Sequence, residues 1–152
     1  MVQLTEGIFL DILRSDTIRK VEFILEISVG LTAEVGTLVE AEDTALSVGS
    51  GALRVYATPC MAALMEGAAC EALEGCLGSE QTTVGTELSI SHLSATPVGM
   101  EVTAKATVTA VEGKVITFAL EAYDEAGKIG EGTHKRVIVS SQRFLDKTYS
   151  KL

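Results

Sequence analysis

One helix constrains this chain more than any other feature. Residues 58–77 begin TPCMAALMEGAACEAL, small or apolar at nearly every position. Thr58 suits the N-cap, and Pro59 the first helical position, where a missing N–H costs no helix bond. Gly78 supplies the stop. A surface helix keeps a polar face; the first turns here have none, which predicts a helix buried all round. Gly67 and the alanines let another backbone come close. The rest of the chain must supply the cover.

That rest reads as strands. Ahead of the helix, residues 20–29 and 32–40 are extended in pattern, followed by a short helix at 43–48, a Gly-Ser-Gly turn and an extended piece at 53–57. Behind it the apolar period changes to two. Residues 83–94, 100–111, 115–124 and 129–140 alternate, separated by ATPVG, EGK and EAGK. Turns of that length join antiparallel neighbours, so the expectation is a four-strand meander. Strands, one apolar helix and a meander predict an α+β hotdog fold: one long central helix wrapped by a curved antiparallel sheet. The 152 residues suit a single domain. Residues 1–20 read as an N-terminal extension, with Ile8, Leu10, Ile12 and Leu13 patterned for a short helix. A lone hotdog leaves a sheet edge and part of its helix uncovered; pairing two copies closes both, which predicts a homodimer at least.

Charge and cysteine usage narrow the function. A net charge of −9 argues against nucleic acid and anionic membranes as partners, since both require a positive field. No apolar run approaches the ~18 residues of a membrane helix. The opening MVQLTEGIFLDILRSD carries acids where a signal peptide needs bases, so the expected location is the cytoplasm. Cys60, Cys70 and Cys76 sit too far apart on one helix to be bridged and match no zinc spacing. They read as small buried hydrophobes in a reducing compartment.

Glu66 is the first candidate for chemistry. A carboxylate on a buried helix face is costly unless paired or protonated, so it marks either a site or a structural acid held by backbone donors. His92 is the second. Counting by twos from Val84 puts Thr86, Leu88, Ile90 and His92 on one strand face, turned toward the helix. Alone, such a histidine is a core residue; with a carboxylate opposite, it forms an acid–base pair suited to neutral pH. Thr58 is a helix cap whose hydroxyl can also meet a water or a carbonyl. Thr58 and Glu66 stand about 12 Å apart along a regular helix. They share a site only if a second copy supplies one of them or a substrate spans the gap. His134 reads as structural, and Lys135 and Arg136 as solvated strand residues or phosphate ligands. The chain has no P-loop, no G-x-S-x-G elbow and no H-E-x-x-H.

Three blocks carry a family resemblance: residues 55–70, TVGTELSISHLSATPVGMEV at 83–102, and VEGKVITFALEAYDEAGKIGEGTHKRV at 111–137. In this order and spacing they resemble the fluoroacetyl-CoA-specific thioesterase-like family of hotdog proteins, over roughly residues 30–145. The resemblance implies hydrolysis of an acyl-CoA thioester at a dimer interface, with Thr58, Glu66 and His92 as the catalytic set, no metal and no cofactor beyond the CoA of the substrate. It further implies that Gly85 offers its backbone N–H to the thioester carbonyl. The G-x-H-x-R element is present as Gly132, His134 and Arg136, with Arg136 placed to contact CoA. Ahead of the helix, VGSGALRVY sets Gly49 and Ala52 where the fluoroacetyl-CoA enzyme has bulky phenylalanines, which implies a more open pocket and a different short or medium acyl group. The alternatives are a hotdog acyl-thioester hydratase or dehydratase, and a non-catalytic acyl-CoA-binding hotdog.

Overall fold

The computed structural model describes residues 24–152; the expectations for residues 1–20 and the first part of the 20–29 strand lie outside them. β1 (Thr32–Leu38) is followed by a 3-10 turn (Ala41–Asp43) and a one-turn helix, α1 (Ala45–Val48). Then come the long helix α2 (Thr58–Glu71), the strands β2 (Gln81–His92), β3 (Glu101–Glu112), β4 (Val115–Asp124) and β5 (Gly127–Ser140), and a C-terminal helix α3 (Ser141–Tyr149) that the sequence pattern did not foresee. Residues 24–28 form no strand; Leu25 N–H donates instead to the Gly75 carbonyl.

All five strands form one antiparallel sheet in the order β1-β3-β4-β5-β2. β3, β4 and β5 are the expected meander, but β2 is not its first strand. ATPVG is no hairpin turn: the chain leaves β2 at one edge and crosses to β3 on the far side of β4 and β5. Two facts account for this. β5 admits the β2 backbone because it carries Gly132, where a Cβ would lie 2.8 Å from Ile90 Cα. The crossing segment satisfies its own polar backbone elsewhere: Tyr56 N–H donates to Thr96 O, Val39 N–H to Met100 O, and Gly99 N–H to Val39 O.

One sheet face wraps α2, which contacts β1 and β3 most and reaches β4 and β2. That face is built by alternation: Val102, Ala104, Ala106 and Val108 on β3, with Ile116, Phe118, Leu120 and Ala122 on β4, are all buried. α2 answers with Met61, Met65, Ala68 and Ala69. The all-round burial expected of α2 does not occur in one chain. Thr58, Pro59, Ala63, Gly67 and Cys70 are exposed, because a single sheet covers only one side of the helix. Cys70 therefore departs from the buried expectation, while Cys76 is buried and all three cysteines are free thiols. α2 also stops at Glu71, short of the expected residue 77; turns follow, and Gly75 takes the left-handed φ of +74° that reverses the chain.

The alternation makes a sharp prediction. Phe118→Ala removes a fully buried ring and destabilises the fold by about 3–5 kcal/mol. Thr117→Ala, one residue away on the opposite face, costs about 0.5 kcal/mol or less. Urea denaturation of the two variants checks the difference.

Candidate active site

Two glycines on the wrapped face decide where the polar side chains of α2 and β2 meet. The first is Gly130 on β5, paired across the ladder with His92. A Cβ at Gly130 would fall 2.6 Å from Met61 Sδ, so the first turn of α2 lies directly over this position. Thr58, three residues before Met61, is thereby brought to the end of β2. Its Oγ1 lies 2.8 Å from His92 Nδ1. That hydroxyl is available because the helix starts one residue earlier than the sequence suggests: Ala57 is the N-cap and Thr58 caps nothing.

His92 closes β2 with its Nε2 buried and without a hydrogen-bond partner among the described residues. Burial pushes its imidazole below the ordinary value, and the Ser94 backbone opposes this in part. Thr58 and His92 line a cavity of about 330 Å³, together with Ala45, Ser50, Val55 and Leu93.

The second glycine is Gly85, paired with Arg136. A Cβ there would lie 2.8 Å from Glu66 Oε2 and 3.0 Å from His134 Cε1, so the carboxylate rests against bare backbone. Gly85 faces α2 only because the ladder shifts between Gly85 and Glu87. This bulge carries Thr86 as the extra residue and reverses the alternation. Counting by twos from Val84 thus succeeds for Leu88, Ile90 and His92 and fails for Val84 and Thr86; Thr83 and Gly85 take the inner face before the bulge.

β5 supplies the partners of Glu66. Arg136 is only 6 % exposed and His134 only 1 %. Arg136 Nε donates to Thr83 Oγ1 at 2.8 Å and Nη2 to the Thr83 carbonyl at 3.0 Å. Its Nη1 lies 3.1 Å from both Glu66 Oε2 and His134 Nε2. Arg136 is therefore not a solvated strand residue: it is buried, and each of its three nitrogens has a partner within the protein. Glu66 is not a buried orphan either: its side chain is 41 % exposed and ion-paired. Period-two counting back from Ile138 would have placed Arg136 and His134 on the inner face, and this was the signal available in the sequence.

The predicted catalytic set is thus divided within one chain. Thr58 joins His92 at one end of β2; Glu66 joins Arg136, His134 and Gly85 at the other. Seven residues of strand separate Gly85 from His92, about 20 Å, and eight residues of helix separate Thr58 from Glu66, about 12 Å.

Comparison with known proteins bears on what such a divided set does. The family described as fluoroacetyl-CoA-specific thioesterase matches residues 39–142. A fluoroacetyl-CoA thioesterase of Streptantibioticus cattleyicolor is 35 % identical over 97 residues, 64 % of this chain and 70 % of that protein. A solved structure of the fluoroacetyl-CoA thioesterase superposes with a TM-score of 0.79 at 28 % identity, covering 84 % of this chain and 99 % of the other. A hot-dog-like protein from Thermanaerovibrio acidaminovorans follows at 0.76 and 26 %, covering 83 % and 93 %. A thioesterase superfamily member from Thermus thermophilus gives 0.74 and 28 %, covering 85 % and 100 %. The α+β architecture described above is thus the hotdog fold, and the chain belongs to the fluoroacetyl-CoA-specific thioesterase family, a family of thioester hydrolases.

Proposed function

We propose that this thioesterase hydrolyses a short or medium acyl-CoA at a site shared by two copies of the chain, with Thr58 and His92 from one and Glu66 and Gly85 from the other. The observation that carries the reading is the Thr58–His92 pair. One imidazole nitrogen is engaged by the Thr58 hydroxyl, and the other is buried, unpartnered among the described residues and beside a cavity. A buried polar atom without a partner is costly, and a substrate or its attacking water satisfies it. The exposed stripe of small residues on α2 lets a second copy bring its helix close without large side chains in the way.

The chemistry follows from these groups. The Gly85 N–H polarises the thioester carbonyl and stabilises the oxyanion. Glu66 either takes a proton from the water that attacks the carbonyl carbon, or attacks that carbon itself to give an acyl–Glu66 anhydride that water then hydrolyses. The C–S bond breaks and the thiolate of CoA leaves; His92 Nε2, neutral at the outset, accepts the proton of the hydrolytic water, directly or from Glu66, and returns it to the thiolate, giving free acid and CoA. The cavity beside Thr58 and His92 receives the acyl group; Ala45, Val55, Leu93 and the ring of Tyr56 line it. An acyl-CoA substrate and three free thiols fit work in the reducing cytoplasm. Among the described residues, no helix is long and apolar enough to cross a membrane.

Release of free thiol from a panel of acyl-CoAs of two to ten carbons tests the activity. Hydrolysis is expected, with longer chains than fluoroacetyl preferred; binding without thiol release would sink the reading. The shared site has its own test. Glu66→Gln and His92→Ala are each expected to be inactive, yet mixing them under exchange conditions restores about a quarter of wild-type activity, since half the random dimers carry one intact site of two. No restoration would mean that each chain works alone.

The lowered imidazole sets a pH expectation. His92 must be neutral to accept a proton, and its neutral form persists below the ordinary value. The acid limb of kcat/KM therefore falls below pH ~6.5. By the same sign, the stability contributed by neutral His92 is present above that pH and lost as pH drops through its lowered value. A pH–rate profile with the acid limb at or above pH ~6.5 would count against His92 as the proton acceptor.

A further inference from the structure

We propose that His134, which the thioesterase reaction does not itself require, is a positioning residue that aims the carboxylate of Glu66 by way of Arg136. The inference rests on the reading of Glu66 as the catalytic carboxylate.

The protonation state of His134 follows from its neighbours. Its Nδ1 lies 2.8 Å from the backbone carbonyl of Glu87. A carbonyl only accepts, so Nδ1 carries the hydrogen. Its Nε2 lies 3.1 Å from Arg136 Nη1, and a guanidinium only donates, so Nε2 holds the lone pair. His134 is thus the neutral Nδ1–H tautomer. The 3.6 Å separation of Nε2 from Glu66 Oε2 is then two acceptors side by side, bridged by the hydrogens of Arg136 Nη1. One Nη1 hydrogen goes to the imidazole and the other to the carboxylate.

This arrangement engages all three nitrogens of the guanidinium. Thr83 holds Nε and Nη2 through its hydroxyl and its carbonyl, which fixes the plane of the group. Nη1 is the arm left over, and His134 determines which way its hydrogens point. Without an acceptor at His134 Nε2, one hydrogen of Nη1 would be buried and unsatisfied, and the guanidinium would turn to find another partner. Glu66 Oε2 would lose its fixed donor. Gly85 shows how tight the fit is: a Cβ there would meet Glu66, His134 and the guanidinium together, at 2.8, 3.0 and 3.6 Å. The bulge on β2 exists at this spot and brings Gly85 inward, beneath the carboxylate. The effect is to hold Oε2 on Arg136 and leave Oε1 for the reaction.

A packing role makes the opposite demand on His134. An apolar side chain of similar volume satisfies packing, whereas only a side chain with both a donor and an acceptor satisfies the Glu87–Arg136 bridge. The test compares His134→Gln with His134→Leu in the full-length protein, reading kcat and KM for the best acyl-CoA, with thermal melts to show that each is folded. Positioning predicts that the Leu variant loses about 10- to 100-fold in kcat with KM within about twofold, while Gln recovers most of the loss. Equal activity of the two variants, or a better Leu than Gln, would overturn it. Arg136→Lys covers the case in which the Leu variant fails to fold: lysine keeps the charge but cannot reach Thr83, His134 and Glu66 at once, so kcat falls although charge is conserved. Full activity of Arg136→Lys would overturn the proposal as well. Glu66→Gln separates the two readings. If it stays active, the catalytic role of Glu66 fails; if it is inactive while the His134→Leu and Arg136→Lys variants keep wild-type kcat, only the positioning role fails.

Discussion

The register of β2 against β5 is the constraint that everything else in this structure follows from. It sets His92 opposite Gly130 and Gly85 opposite Arg136. Both glycines leave room under α2, so the helix settles with its first turn over one end of β2 and Glu66 over the other. A slip of one residue would turn His92 and Gly85 to the solvent face and separate Arg136 from Thr83. The bulge at Thr86 belongs to the same constraint, because one continuous alternation cannot put both Gly85 and His92 on the inner side.

From that register comes a division of labour within one chain. One end of the helix holds a hydroxyl on an imidazole whose far nitrogen is buried and unpartnered among the described residues. The other end holds a carboxylate on a buried arginine, itself fixed by Thr83 and His134. The two groups differ in electrostatics. At the Thr58–His92 end, the imidazole meets a neutral hydroxyl and lies in a depression that lowers its basicity. The Glu66 end is an ion pair at the edge of solvent, backed by buried donors. The proposed two-copy site joins unlike halves, a base without charge and a carboxylate already oriented.

The sequence disclosed the parts unevenly. The helix, the period-two strands and Thr58, Glu66 and His92 as distinctive residues were legible, since apolar periodicity and a charge inside an apolar run are local signals. The position of β2 was not. ATPVG looks like a hairpin turn from its composition, and only the fit of the Ile90 backbone against Gly132 and the tethering of residues 96–100 to Val39 and Tyr56 show that it crosses the sheet. The bulge at Thr86 was hidden for a related reason: a single extra residue leaves no mark in a pattern already mixed with threonine and glycine. The roles of His134 and Arg136 fell between. Alternation on β5 puts them on the inner face, but a lysine between them and a net-polar stretch suggest solvent.

Local pattern settles the kinds of element and their order, because hydrophobic period and turn residues act over a few neighbours. It also settles the family, because three separated blocks keep their spacing. Which strand lies beside which, and which side chains meet, emerges only in the folded chain, since these depend on pairings across 34 to 70 positions. Thr58 meets His92 and Glu66 meets Arg136 because a glycine beneath each end of the helix permits a contact that no short stretch of sequence encodes.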